Sequence, residues 1–170
     1  MDKIKKKVVV LGEAGVGKSA LVQTYCTGGQ QVTKDYVMTL VADIASKLVE
    51  VDDETDVELF FFDLSGRELL RSVVNQLLYE AALAVFVYDS TQSKSFTALD
   101  GWMDLLKKAS GNRLPPSIVV ATKGDFPASR AVSQEQGQNF ARKIDGKFFE
   151  VNALNYQEVE AALGSLVQNK

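Results

Sequence analysis

The chain has no histidine and a single cysteine, Cys26. Without histidine there can be no His-based triad, no histidine-ligated zinc and no imidazole proton relay. One cysteine excludes an intramolecular disulfide and favours a reducing compartment. Cys26 lies among apolar residues of a helical pattern and is expected to be a small core residue. No apolar run approaches the ~20 residues of a membrane span, and the N-terminus lacks a signal-peptide core. No cysteine stands near Lys170, so no prenyl membrane anchor is expected in this chain. Charge of one sign is also scarce. The net charge is −3, and nothing overall suggests nucleic acid or an anionic membrane. Lys3, Lys5, Lys6 and Lys7 read as the solvated start of a strand, because a lipid-binding patch normally has more basic residues or an added lipid.

What is present is an ordinary globular mixture: 170 residues, 46% hydrophobic and 24% charged. That length suits one domain, residues 1–170, with a full core. No internal repeat and no low-complexity segment is visible.

Residues 12–19 read Gly-Glu-Ala-Gly-Val-Gly-Lys-Ser, a phosphate-binding loop pattern. Gly12 and Gly17 let the backbone turn tightly and approach a phosphate with no Cβ in the way. Successive N–H groups of Ala14, Gly15, Val16, Gly17, Lys18, Ser19 and Ala20 can then face one anion-binding concavity. Lys18 supplies a point charge for the β and γ phosphates, and Ser19 a hydroxyl for Mg²⁺. The loop opens a helix, whose dipole also favours negative charge there. The context fits: Val8, Val9, Val10 and Leu11 form a β-branched run before it. Ala20, Leu21, Val22, Tyr25 and Cys26 give a helical face after it.

The rest of the chain alternates strands and helices. Residues 27–39, with Gly28 and Gly29, read as a mobile loop. Residues 41–51 and 56–62 read as strands joined by the acidic turn 52–55, and residues 63–68 break the second of them. Residues 69–80 look helical, and 81–88 form a buried strand. Phe96, Leu99, Trp102, Met103 and Leu106 recur at helical spacing, with Ser93 and Ser95 as candidate caps; that stripe reads as core. A short strand, 118–122, follows Pro115-Pro116. Ser133 with Gln136 is a capping box for a helix to about Lys143, with Gly146 at its exit. Residues 147–151 are the last strand, and Val159, Leu163, Leu166 and Val167 stripe the last helix. Apolar strands without clear in–out alternation, separated by helices, predict an α/β three-layer sandwich. Its sheet would be six-stranded and mostly parallel, with one antiparallel edge strand. Ligands bind such sheets at the carboxyl ends of the strands, where each candidate motif falls.

Together these segments resemble the Ras-superfamily small GTPases, most closely the Rab branch, over essentially the whole chain. The resemblance implies the P-loop NTPase fold of small GTPases, with GTP or GDP and Mg²⁺ as ligands. Asp63-Leu64-Ser65-Gly66 is similar to the Asp-x-x-Gly motif, in which Asp63 would hold Mg²⁺ through water and the Gly66 N–H would contact the γ-phosphate. Thr39 is the candidate switch threonine that ligates Mg²⁺, at a spacing from Ser19 two residues longer than usual. Thr122-Lys123-Gly124-Asp125 is similar to the base-reading Asn-Lys-x-Asp, with Thr in place of Asn as in the Rho branch. The Asp125 carboxylate would accept two hydrogen bonds from guanine, a pair that adenine lacks. The Lys123 stem would lie on the purine. Asn152-Ala153-Leu154 occupies the Ser-Ala-Lys position, where the Ala153 N–H would bind the guanine O6. That contact needs only backbone, so Leu154 is tolerable.

Two departures bear on catalysis. Efficient members carry Gln after Asp-x-x-Gly to orient water, whereas this chain has Arg67, whose guanidinium only donates. Ala14 stands where Ras has Gly and would crowd an arginine finger. The expectation is slow hydrolysis, at or below the ~10⁻⁴ s⁻¹ order of unassisted small GTPases. Within the Rab-like group the resemblance is to the intraflagellar transport GTPases of cilia. It rests on Gly-Glu-Ala-x-Val-Gly-Lys-Ser-Ala-Leu at 12–21, Lys-Asp-Tyr-x-Met-Thr at 34–39 and Val-Glu-Leu-Phe at 57–60. That implies a subunit of the intraflagellar transport B complex, in cytoplasm and cilium or flagellum, paired with a small β-sandwich subunit. The competing readings are a structural subunit stabilised by nucleotide without switching, a conventional vesicle-trafficking Rab, and an ATP-using P-loop enzyme, which Asp125 opposes.

Overall fold

The computed structural model describes residues 2–30, 41–67 and 70–168. Six strands form one sheet: β1 (Asp2–Leu11), β2 (Ala42–Asp52), β3 (Thr55–Leu64), β4 (Leu83–Asp89), β5 (Ser117–Thr122) and β6 (Lys147–Val151). Their order is β2-β3-β1-β4-β5-β6. Every neighbouring pair is parallel except β2 with β3, so the one antiparallel strand lies at an edge as expected. The β2–β3 register shifts between Glu50 and Asp52. On β2, Ile44 and Leu48 are exposed.

Among the described residues the α-helices are α1 (Lys18–Cys26), α2 (Arg71–Leu77), α3 (Ser93–Thr97), α4 (Leu99–Ala109), α5 (Gln134–Lys143) and α6 (Tyr156–Gly164). Strand side chains alternate between two cores. Val8, Val10, Phe61, Val85 and Val120 point to the face covered by Leu21 and Tyr25 of α1 and Val159 and Leu163 of α6. Val9, Leu11, Phe86, Tyr88 and Val119 point to the face covered by Val74 of α2, Trp102 and Leu106 of α4 and Phe140 of α5. Burial on both faces is why these strands read as apolar runs. The predicted three-layer sandwich is therefore present.

Several local expectations need correction. Asp63 and Leu64 still belong to β3, pairing with Asp43 and Ala42, so the strand breaks at Ser65 rather than Asp63. Helix α2 runs Arg71–Leu77 and so ends before the expected residue 80, whereas residue 69, where the pattern begins, lies outside the described residues. The stripe from Phe96 to Leu106 spans two helices that meet at Ala98. Neither serine caps α3: its N-cap is Gln92, with no side-chain bond. Ser95 Oγ instead donates to Gln92 O at 2.7 Å and accepts from the Asp89 N–H at 3.0 Å, which ties α3 to the end of β4. The Ser133–Gln136 capping box is formed as predicted. At the exit of α5 the left-handed residue is Asp145 (φ 54), not Gly146. Gly146 is needed for space, since a Cβ there would sit 2.5 Å from Ser117 O. Cys26 is only half-buried against the α1–α6 core, and burial pushes its thiol up to about 11.

Candidate functional site

The phosphate loop leaves β1 at Gly12 and enters α1 at Lys18. Gly12 (φ 153), Gly15 (φ 78) and Gly17 (φ 108) take backbone conformations that L side chains rarely adopt. Gly12 also passes so close to β4 that a Cβ would meet Val87 O at 2.3 Å. Gly17 is the N-cap of α1 and offers no side chain to its first turn. The first-turn amides of a helix are the groups that suit an anionic acceptor.

Lys18 is 6% exposed. Its Nζ donates to Gly12 O at 2.9 Å and Glu13 O at 2.7 Å, so it is held across the loop. Burial pushes its ammonium down to about 8, against the opposing pull of Asp63 and Glu13. A buried cation with a third donor to give is the chemistry that suits a phosphate oxygen. Next to it, Ser19 Oγ donates to Asp63 Oδ2. A hydroxyl and a carboxylate oxygen side by side are hard donors of the type that Mg²⁺ takes. Gly66, three residues on from Asp63, lies against the loop backbone. A Cβ there would sit 2.3 Å from Ala14 N and 2.4 Å from Glu13 C. The donor set and this close approach fit a Mg²⁺-bound polyphosphate.

The other motifs gather at the same edge. Thr122 is buried, and its hydroxyl donates to Val16 O at 2.6 Å, with Tyr88 O at 3.2 Å. It thus braces the phosphate loop from the end of β5. Lys123 stands in a left-handed conformation (φ 61) and pairs with Asp89 Oδ2 at 2.7 Å. Burial would raise the Asp89 carboxyl, but bonds from Lys123 and Thr91 outweigh it and hold it below the usual carboxylate value. Arg130 and Glu150 form an ion pair behind this loop, where a Cβ on Gly124 would run into the Glu150 carboxylate. Asp125 is exposed.

Asn152 Oδ1 accepts the Leu154 N–H at 3.0 Å, and Thr24 Oγ1 of α1 donates to Ala153 O at 2.7 Å. This third loop is therefore pinned to the helix that carries the phosphate loop. Leu154 is exposed. Arg67 is half-buried, and its N–H donates to Ser65 Oγ at 3.3 Å. Thr39 lies outside the described residues.

One contact set was not anticipated from the sequence. Glu13 Oε1 accepts from Trp102 Nε1 at 3.0 Å and from Arg71 at 3.3 Å. The Arg71 guanidinium lies 4.6 Å from the centre of the Trp102 ring. Its signal was an acidic residue inside a loop meant for an anion.

The model of the Ras family matches residues 7–170. Among similar proteins, an intraflagellar transport protein 27 homolog of Mus musculus is 31% identical over 169 residues, covering 99% of this chain and 91% of that protein. Intraflagellar transport protein 27 of Chlamydomonas reinhardtii is 35% identical over 154 residues, covering 88% and 76%. Ras-related protein Rab-7b of Paramecium octaurelia is 31% identical over 166 residues, covering 95% and 79%. The phosphate loop, the Asp63–Gly66 segment braced on it and a family match over nearly the whole length agree: this chain belongs to the Ras family of small GTPases.

Proposed function

We propose that the chain binds GTP and GDP with Mg²⁺, hydrolyses GTP slowly and acts as a Rab-like subunit of intraflagellar transport. The observation that carries the nucleotide reading is the buried Lys18 ammonium beside Ser19 and Asp63 at the mouth of α1. Backbone amides of residues 14–20 and Lys18 hold the phosphates. Ser19 and Thr39, with Asp63 through water, would hold the metal, which when bound neutralises phosphate charge. Asp125 and the Ala153 N–H read guanine, with the Lys123 stem and the Leu154 backbone beside it and Thr122 bracing the loop.

Arg67 makes the chemistry slow. It stands where a water-orienting acceptor is needed, and a guanidinium has only donors. Hydrolysis then lacks a water-orienting acceptor and rests on charge neutralisation by Lys18, the loop amides and the metal when bound. The similarity to intraflagellar transport protein 27 homologs supports placement in the cilium or flagellum, with intraflagellar transport B subunits, notably a small β-sandwich subunit, as partners. Similarity to Rab proteins keeps a vesicle-trafficking role as the second reading.

The test is extraction and chromatography of the nucleotide that co-purifies, followed by single-turnover GTP hydrolysis. Guanine nucleotide and turnover below that of ordinary Rabs are expected. Adenine nucleotide, or fast turnover, overturns the reading. Partner binding measured with GDP and with a non-hydrolysable GTP analogue decides between a switch and a nucleotide-stabilised structural subunit; equal affinities would remove the switch.

A further inference from the structure

A carboxylate within a phosphate-binding loop repels the anion the loop is built to hold unless its charge is compensated. Glu13 is such a residue, and its field reaches Lys18. Its neutralising partner comes from another element: Arg71 is the first residue of α2, directly after the segment that carries Gly66 and Arg67. Trp102 of α4 fixes the geometry from the third side. Its indole N–H occupies the same Glu13 oxygen, and its ring face receives the Arg71 guanidinium. Trp102 is 1% exposed, so the platform is rigid.

We propose that Arg71 is a positioning residue that cancels the Glu13 charge, so that nucleotide retention depends on α2 staying docked on the phosphate loop. This rests on the guanine-nucleotide reading above and adds to it a route by which whatever moves α2 changes release. With α2 docked, the loop presents Lys18 and its amides with little opposing charge. With α2 displaced, the Glu13 carboxylate faces the phosphates uncompensated and the diphosphate leaves sooner. Arg71 touches no nucleotide and acts through Glu13.

The experiment measures release of a fluorescent GDP analogue from the full chain, wild type and three variants. Arg71→Ala should release about fivefold faster, a change of about 1 kcal/mol at tenfold per 1.4 kcal/mol. Glu13→Gln, which keeps a carbonyl acceptor for Trp102, should release at the wild-type rate or slower. The double variant should return to within about twofold of wild type, because the repelling charge is gone. The Arg71→Ala effect should shrink as ionic strength rises, since the pair is partly exposed. A merely structural Arg71 would give faster release that Glu13→Gln does not rescue and salt does not alter, and that result overturns the proposal. So does wild-type release from a folded Arg71→Ala. Failure of the wild-type chain to load any guanine nucleotide overturns the functional reading, and this inference with it.

Discussion

Lys18 offers the sharpest quantitative test. Its ammonium is buried and pushed from 10.5 to about 8. A displacement of that size corresponds to about 3 kcal/mol by which the folded, nucleotide-free chain disfavours the charged form. Below pH 8 the lysine is charged in both folded and unfolded chains, and the folded state bears the whole penalty. Between pH 8 and 10.5 the unfolded chain holds the extra proton, so stability rises with pH; above 10.5 the penalty is gone. The comparison is with Lys18→Met, which fills the space without charge. In urea denaturation of nucleotide-free protein, the stability of Lys18→Met relative to wild type should be greatest at pH 7 and should fall by up to about 3 kcal/mol towards pH 10, as the wild-type penalty is relieved.

Nucleotide binding gives the mirror image. A phosphate beside Lys18 would restore the ammonium, so wild type should take up more proton per GDP at pH 8.5 than at pH 7. Calorimetry in buffers of different ionisation enthalpy reads this directly. No histidine is present and Cys26 is pushed up to about 11, so neither confuses that window. A gap between the two proteins that does not change with pH, together with equal uptake at both pH values, would refute the reasoning.

Other changes have equally definite outcomes. Under the proposed function, Arg67→Gln should accelerate single-turnover GTP hydrolysis, because an acceptor replaces a pure donor; an unchanged rate removes Arg67 as a brake on hydrolysis. Gly66→Ala puts a Cβ 2.3 Å from Ala14 N, a backbone atom that cannot yield, so affinity for a GTP analogue should fall about tenfold more than affinity for GDP; an equal loss would show that Gly66 does not sense the third phosphate. Thr122→Val deletes the hydroxyl that holds Val16 O, and thermal denaturation should show a loss of about 1–3 kcal/mol. Asn155→Ala removes the N-cap of α6, whose Oδ1 accepts the Glu158 N–H, at about 1 kcal/mol in the same assay.

The sheet and its helices were legible because the strands are buried on both faces and the helices carry single apolar stripes, as with Val8–Leu11 and Leu99–Leu106. The phosphate loop was legible because its glycines and Lys18 are contiguous in sequence. Contacts over long sequence separation were not. Thr122 stands in the base-reading motif where Asn is usual, and its bond to Val16, 106 positions away, has no local signature. Trp102 was read as core, which its burial supports, yet no periodicity reveals where its one N–H goes. The end of β3 was misplaced because Asp63 looks like a strand breaker, whereas pairing with Asp43 carries the ladder past it. The turn after α5 was assigned to Gly146 by composition. The fold puts the strained conformation on Asp145 and uses the missing Cβ of Gly146 to admit β5.

Among the described residues strand β2 is an edge of the sheet, eleven residues long, with Ile44 and Leu48 exposed. Such a border is a template on which a second copy could add a strand and begin to aggregate. The slip in register between Glu50 and Asp52 bends the end of it. Asp43, Lys47, Glu50 and Asp52 scatter both signs of charge along the rest, which makes an identical neighbour a poor fit. The far border, β6, is protected by brevity, five residues with Lys147 and Glu150 among them. The chain thus guards its two rims by different means, and neutralising Lys47 and Glu50 together would cost it solubility before it cost it shape.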